Sequence, residues 1–196
     1  AAFEAQVRAT PTPVAWYGLA EASLRAGNLA HAEQALAKMD GPLAHSPLVE
    51  VARIDLALAR NRVDDALKLS QAALARHAAY RPVAYLRAKA LLRAKRGREA
   101  LDFLTDQMRT WPSDSQFHVL RAEAHNALGE TAKAHLAQAE AYVLTDRIGA
   151  AVDQLQRAQR AGRTDFYTLS IIDARLRELR ERQRQELPSG MVKTGQ

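Results

Sequence analysis

Six histidines are the side chains of this 196-residue sequence best suited to metal binding or proton transfer. Two of them, His118 and His125, are close enough in sequence that on a helix they would share one face. No third ligand is identified beside them, and none of the six belongs to an H-E-x-x-H pair, which places two zinc ligands and a base on one helical turn. We therefore interpret the histidines as polar residues that face a neighbouring helix or solvent.

Other catalytic arrangements are equally hard to find. The sequence has no cysteine, which excludes a thiolate nucleophile, a disulfide and a Cys-ligated zinc. It contains no G-x-S-x-G elbow, no P-loop and no G-x-G-x-x-G motif. Adjacent carboxylates such as Asp64 and Asp65 lie near a predicted helix start, where the helix dipole explains them. The sequence predicts a chain that is not an enzyme and has no cofactor of its own.

The composition favours helices. Glycine and proline number only 9 and 7, aromatic residues make up 6%, and alanine, the strongest helix former, is abundant. No apolar run approaches the roughly 18–20 residues that cross a bilayer, so no transmembrane segment is predicted. The first residues do not resemble a signal peptide, and the chain starts in mid-pattern, as a fragment of a longer protein would.

An internal repeat is the strongest pattern. Ala32, Ala66, Ala100 and Ala134 recur at a constant interval, and each follows a short polar break, at Gly27-Asn28, Asn61-Arg62, Arg96-Gly97 and Gly129-Glu130. The interval matches the period of about 34 residues, with two helices per unit, of the tetratricopeptide repeat (TPR). Small residues at these positions let two helix backbones approach closely. The sequence therefore predicts an all-α TPR solenoid of about ten helices, wound as a right-handed superhelix.

The repeat register predicts the boundaries of the units. Residues 1–12 are expected to be the remnant of an upstream linker or helix, and residues 183–196 a mobile tail. The array between them comprises units at 13–46, 47–80, 81–114 and 115–148, an overlapping half-step unit at 132–165, and a final helix at 166–182. The second unit departs from the consensus, with Glu50 and Arg53 where Trp and Leu are expected.

In TPR arrays, the first helix of each unit lines a concave groove. The positions that normally point into it are, in this sequence, Tyr17, Glu21, Val51, Asp55, Tyr85, Lys89, Arg93, Glu123 and Asn126, with Val14, Leu48 and Pro82 at the helix starts. This mixture suits an extended peptide or a protein surface. The alternative is that the tyrosines and leucines merely pack on adjacent units. A chaperone-tail clamp is excluded, because Glu21 would repel the terminal carboxylate that such clamps bind.

A basic cluster lies within residues 81–98, and its candidate members are Arg87, Arg93, Lys95, Arg96 and Arg98. With a formal net charge of +6, this cluster could attract nucleic acid, anionic lipid or an acidic partner. The alternative is an ordinary solvated helix face. No aromatic residues alternate with the basic ones as a base-stacking surface requires, so nucleic-acid binding is disfavoured.

The last third of the chain resembles a particular family. The residues concerned are Leu128-Gly129-Glu130, Ala134-His135, Ala139-Glu140-Ala141-Tyr142, Ala151, Gln154-Leu155, Ala158, Asp165-Phe166 and Ile172-Asp173-Ala174-Arg175-Leu176. This run resembles the C-terminal TPR region of periplasmic zinc metallopeptidases of the beta-barrel assembly-enhancing protease (BepA-like) family. The helix shared between the fourth and half-step units is also similar to that family.

The resemblance implies a periplasmic location and a TPR domain packed against a peptidase domain, with outer-membrane assembly machinery and barrel substrates as partners. Zinc would belong only to that peptidase domain, upstream of Ala1, because no position here matches its ligands. Our first hypothesis is a non-catalytic, partner-recruiting module of such a peptidase. The second is a free-standing TPR adaptor or envelope scaffold, and the third is polyanion binding through the basic cluster.

Overall fold

A computed structural model describes residues 2–162 and 164–186, and every regular element in these ranges is helical. The α-helices are α1 (Ala2–Ala9), α2 (Pro13–Arg25), α3 (Leu29–Ala37), α4 (Pro47–Ala59), α5 (Val63–Arg76), α6 (Arg81–Arg93), α7 (Gly97–Thr110), α8 (Ser115–Ala127), α9 (Thr131–Val143), α10 (Ile148–Arg160) and α11 (Phe166–Glu186). A short 3-10 helix, Gly41–His45, precedes α4. The predicted all-α class is confirmed, with ten α-helices from Pro13 onward in the described ranges. None of the helices described is both long and apolar enough to cross a membrane.

The chain divides into two compact units. The first extends to Arg96 and contains α1 to α6, and the second begins at Gly97 and contains α7 to α11. Within the first unit, α2 packs on α3 and α4 on α5, while α4 also contacts α2 and α6. Within the second, α8 packs on α7 and α9, and α10 packs on α9 and α11.

The four alanines that define the repeat are buried. Ala32, Ala66 and Ala100 have no exposed surface, and Ala134 is 2% exposed. Each lies on the second helix of its repeat, where its methyl group leaves room for the neighbouring helix. The sequence spacing therefore identified the helix contacts correctly.

The first helix of each repeat ends in the same left-handed turn. Gly27, Asn61, Lys95 and Gly129 have φ angles of 72°, 56°, 60° and 74°, and they recur at the same interval as the four alanines. In each case the next amide donates to a carbonyl five residues back, as Arg96 N–H does to Leu91 at 2.9 Å, which is the Schellman helix ending.

At the third of these turns, the left-handed residue differs from the one that the sequence predicts. We placed that break at Arg96-Gly97, but the left-handed residue is Lys95. Gly97 is instead the buried first residue of α7, and a Cβ there would lie 3.1 Å from Cγ of Leu128. The absence of a side chain at this position serves close packing against Leu128 rather than a turn.

Glu50 and Arg53 replace the consensus Trp and Leu with a polar network. Glu50 is 5% exposed, and its Oε1 accepts from Arg76 Nε at 2.8 Å and lies 2.5 Å from Arg76 Nη2. His45 and His77 each approach the same carboxylate, at 3.6 and 3.7 Å. These contacts connect α4 to the end of α5 and to the 3-10 helix, so an ionic cluster stands where a consensus repeat has an indole ring.

The last helix of the second compact unit, α11, packs through one apolar face. Ile172, Leu176 and Leu179 are buried against α10 and α9 residues. α11 continues to Glu186, past the helix end expected at 182, so residues 183–186 of the predicted tail are helical. Residues 187–196 lie outside the described part of the chain. At the other end, α1 lies in the segment expected to be the remnant of an upstream linker or helix, and the Phe3 ring lies over Gly18 of α2.

Lys95→Gly is expected to stabilise the protein by roughly 0.5–1 kcal/mol. A left-handed conformation costs a residue with a Cβ about 1–2 kcal/mol, and the greater freedom of glycine in the unfolded chain offsets part of the gain. Lys95 is exposed, so few contacts are lost. Denaturant unfolding measures the difference. Asn61→Gly is the matched control, expected near zero because asparagine tolerates this conformation; a Lys95→Gly variant that gained no stability would contradict the assignment of strain.

Glu50→Gln is expected to destabilise the protein by roughly 1–3 kcal/mol. The substitution keeps the shape but removes the charge that Arg76 faces, and the loss is smaller than for a fully buried pair because Arg76 is 45% exposed. A double-mutant cycle with Arg76→Met isolates the pair, and we expect the double variant to lose less than the sum of the two single variants. Strict additivity would show that the ion pair contributes nothing.

Candidate protein-binding faces

Four of the predicted groove residues of the first unit come together. Tyr17 and Glu21 of α2, Asp55 of α4 and Lys89 of α6 interact electrostatically, and we call this surface the first-unit face. Glu21, Asp55 and Lys89 follow one another at the repeat interval, and α4 packs against both α2 and α6. The repeat spacing therefore brings three charged side chains from three helices to one surface.

Asp55 is the most unusual group of the first-unit face. Its side chain is half-buried, and no hydrogen bond or ion pair joins it to another described residue. Burial raises the pKa of its carboxyl group, the nearby Glu21 raises it further, and the Lys89 ammonium lowers it. A carboxylate held in this way is ready to accept hydrogen bonds from a partner.

The neighbours of Asp55 differ in what they already contact. Glu21 forms an ion pair with Arg25 at 2.9 Å. Burial, followed by the nearby Glu21 carboxylate, raises the pKa of Tyr17. Lys89 is exposed on α6 and has no ion pair within 4 Å in the described part of the chain. Asp55 and Lys89 are thus the acceptor and the donor that the first-unit face offers to a ligand.

Apolar residues border the same helices. Val14 and Leu48, in the first turns of α2 and α4, are 72% and 50% exposed. Val51 and Tyr85, from the predicted set, are half-buried on α4 and α6. Exposed aliphatic groups beside an acceptor and a donor are what binding an extended segment requires.

The basic cluster is only partly available. Arg87 donates to the Leu67 carbonyl at 2.7 Å, and Arg93 lies 3.5 Å from the Leu58 carbonyl, both within the first unit. Lys95 and Arg96 are exposed at the turn after α6. Arg98 belongs to the second unit, where it lies 3.8 Å from Glu130. Sequence reasoning did not foresee that arginines of the cluster would bond backbone carbonyls between helices.

The second unit places its predicted residues differently. Glu123 and Asn126 are exposed on α8. His125 is buried, and its Nδ1 lies 2.6 Å from Glu130. Burial lowers the pKa of His125, and the hydrogen bond from His125 lowers the pKa of Glu130. In residues 2–162 and 164–186, no group of three or more His, Asp or Glu side chains is arranged to hold a metal ion.

Comparison with solved structures identifies the fold. No family model and no curated protein matches this chain. The thermophilic TPR protein TTC0263 of Thermus thermophilus has 19% identity and a TM-score of 0.53, covering 83% of this chain and 98% of that one. MamA from Desulfovibrio magneticus RS-1 has 15% identity and a TM-score of 0.59, covering 90% and 97%. Yeast Tom70 has 15% identity and a TM-score of 0.51, covering 93% and 43%. The chain has a TPR fold, as the period of its alanines predicted.

Asp55→Asn is expected to stabilise the protein at neutral pH. Since the pKa of Asp55 is raised in the folded state, the wild type loses stability as pH rises from the unfolded pKa, near 3.8, through the folded pKa. Asparagine removes this penalty, so the advantage of the variant should shrink as pH falls from about 7 to about 4. Chemical unfolding at several pH values measures it.

Asp64→Asn is the matched control for this experiment. Asp64 is exposed in the first turn of α5, where the helix dipole favours a carboxylate, so its replacement should destabilise slightly at neutral pH. If Asp55→Asn behaved like Asp64→Asn, Asp55 would be an ordinary surface residue.

Proposed function

We propose that this chain is a non-catalytic protein-binding module, and that the first-unit face holds an extended segment of a partner protein. The observation that carries the proposal is Asp55, a half-buried carboxylate on the first-unit face that has no hydrogen bond or ion pair with another described residue and whose pKa is raised by burial. Groups kept at a cost to stability concentrate at functional sites. Val14 and Leu48, exposed in the first turns of α2 and α4, supply apolar contact about two turns before Glu21 and Asp55 on the same helices.

The chemistry of the first-unit face defines what it would bind. Asp55 accepts hydrogen bonds from backbone amides or from a lysine or arginine of the segment, and Lys89 donates to its carbonyls or carboxylates. The apolar side chains of the segment would lie against the exposed groups at the starts of α2 and α4. Affinity would come from this mixture and from the repeated spacing of the helices.

We further propose that the module belongs to a periplasmic zinc metallopeptidase and recruits outer-membrane assembly machinery or barrel substrates to it. Support comes from the resemblance of residues 128–176 to the TPR region of BepA-like peptidases. In this proposal zinc and catalysis belong to a separate peptidase domain, with which this chain makes an intramolecular contact, and no residue here holds the metal. The alternative is a free-standing TPR adaptor or envelope scaffold. An H-E-x-x-H motif encoded in the same gene favours the first, and its absence favours the second.

Polyanion binding is not the function we favour. Arg87 is committed to the Leu67 carbonyl, which removes it from a surface patch. Arg93, Lys95 and Arg96 are exposed at the end of α6 and in the turn after it, but no aromatic residue occurs between Arg87 and Arg98 to stack on bases.

Photocrosslinking in the intact parent protein tests the first-unit face. A photoreactive amino acid at Tyr17 or Tyr85 is expected to capture a partner protein, and capture should fall when Asp55→Asn is added, because an acceptor is lost. Lys68, exposed on α5 of the same unit, is the matched position away from this face. Capture from Lys68 alone would overturn the proposal.

A further inference from the structure

The second unit contains a pocket of 550 Å³ formed by α8, α9 and the start of α11. We call it the α9–α11 pocket, and its lining includes Arg121, Lys133, Leu136, Glu140, Asp165 and Tyr167. None of these residues was selected from the sequence as a site residue. The pocket combines charged groups with apolar side chains, which is the composition of a recognition site.

The two carboxylates of the pocket are already satisfied. Both oxygens of Glu140 accept from Arg175, each at 2.9 Å. Asp165 accepts from the amide and the hydroxyl of Thr168, each at 2.8 Å. In the described ranges, neither acid has a hydrogen bond or ion pair with the cation that faces the pocket from α8.

Arg121 is that cation. Its side chain is half-buried, and no hydrogen bond or ion pair joins it to any residue in the described ranges. Its charge reaches the surrounding groups, since it contributes to lowering the pKa of both His118 and His125. Lys133 lies 3.6 Å from Glu130, a loose pair that leaves donors free. The unsatisfied hydrogen-bonding capacity of the pocket is therefore cationic.

The repeat itself provides an internal comparison. Arg53, Arg87 and Arg121 are separated by one repeat period each and hold the same repeat position. Arg53 donates to the Ala44 carbonyl at 3.1 Å, and Arg87 donates to that of Leu67 at 2.7 Å. Both serve the structure of the first unit. Arg121 makes no such bond in the described chain, so a structural role does not account for it.

Apolar groups surround the open side of the pocket. Phe166 and Tyr167 are 85% and 75% exposed at the start of α11, and Ile171 is 39% exposed one turn later. Exposed aromatic rings next to a cation favour a ligand that carries an apolar side chain beside an anionic group.

We propose that the α9–α11 pocket binds a protein segment in which an acidic side chain is followed by a large apolar residue. The carboxylate of the segment pairs with the Arg121 guanidinium, whose fork matches the two carboxylate oxygens, and Lys133 adds a second positive charge. The apolar residue packs on Tyr167, Leu136 and Ile171. This site is separate from the first-unit face and does not depend on it.

Titration of the whole chain with a short peptide, followed by NMR chemical shifts, tests the proposal. The peptide has acetylated and amidated ends and is composed of glycine and serine, apart from a central glutamate followed by phenylalanine. We expect a Kd below about 1 mM. Replacing the glutamate by glutamine should weaken binding at least about tenfold, and replacing the phenylalanine by alanine should also weaken it. The affinity should fall with added salt, because a charge pair is screened.

Variants of the protein locate the site. Arg121→Gln is expected to weaken binding about tenfold or more, and Arg121→Lys to weaken it less, since the charge stays but the fork is lost. Tyr167→Ala should weaken binding without affecting the charge pair. Arg157→Gln, which removes an exposed arginine of α10 in the same unit, should change nothing. Circular dichroism melts of each variant separate a binding defect from unfolding.

Several outcomes would overturn this inference. They are no binding up to about 1 mM, equal affinity for the glutamate and glutamine peptides, and full binding by a folded Arg121→Gln variant. Binding only of peptides with a free C-terminal carboxylate would also overturn it, because the pocket would then recognise a chain end and not an acidic side chain. Binding lost in Asp55→Asn but kept in Arg121→Gln would assign the peptide to the first-unit face, and would leave the proposed function standing.

Discussion

Close contact between helix backbones at four alanines is the constraint on which the other features of this chain depend. Each methyl group is buried on the second helix of its repeat, with at most 2% of its surface exposed. Protein interiors are packed too densely to admit a larger side chain at such a contact without moving the helices apart, at a cost of about 1–3 kcal/mol for each overpacked site. The alanines therefore fix both the spacing of the helices and the register at which the next repeat begins.

Because the register is fixed, residues one repeat apart occupy equivalent positions, and within one unit they can lie on one surface. This is how Glu21, Asp55 and Lys89 come together from three helices, although no two of them are near in sequence. The same regularity places a left-handed residue after the first helix of each repeat. Spacing alone thus predicted the helices and their contacts at the four alanines, whereas a binding role for the groove residues that it selected stays a prediction.

The features that the sequence did not predict either carry no signal in the residue type or depend on partners distant in the chain. Lysine carries no signal for a left-handed φ, so Lys95 was missed, while Gly27 and Gly129 were recognised. Glu50 reads as a surface residue until Arg76 is beside it. Arg87 was expected in a basic patch, but it bonds a carbonyl of the preceding helix. The pocket beside Arg121 needs α11 packed near α9, and half-step repeats give no motif for that arrangement.

The half-buried charged groups that the proposed ligands would contact differ in sign between the two units. In the first unit this group is the Asp55 carboxylate and in the second it is the Arg121 guanidinium, and neither has a hydrogen bond or ion pair within the described ranges. Burying a charge without a partner costs free energy, and the repeat can supply a partner, as Arg53 and Arg87 show. Retaining two unpartnered groups is therefore better explained by ligands than by folding. A carboxylate selects amide or cationic donors, and a guanidinium selects carboxylates, so the two units would discriminate between segments of a partner by charge as well as by apolar contact.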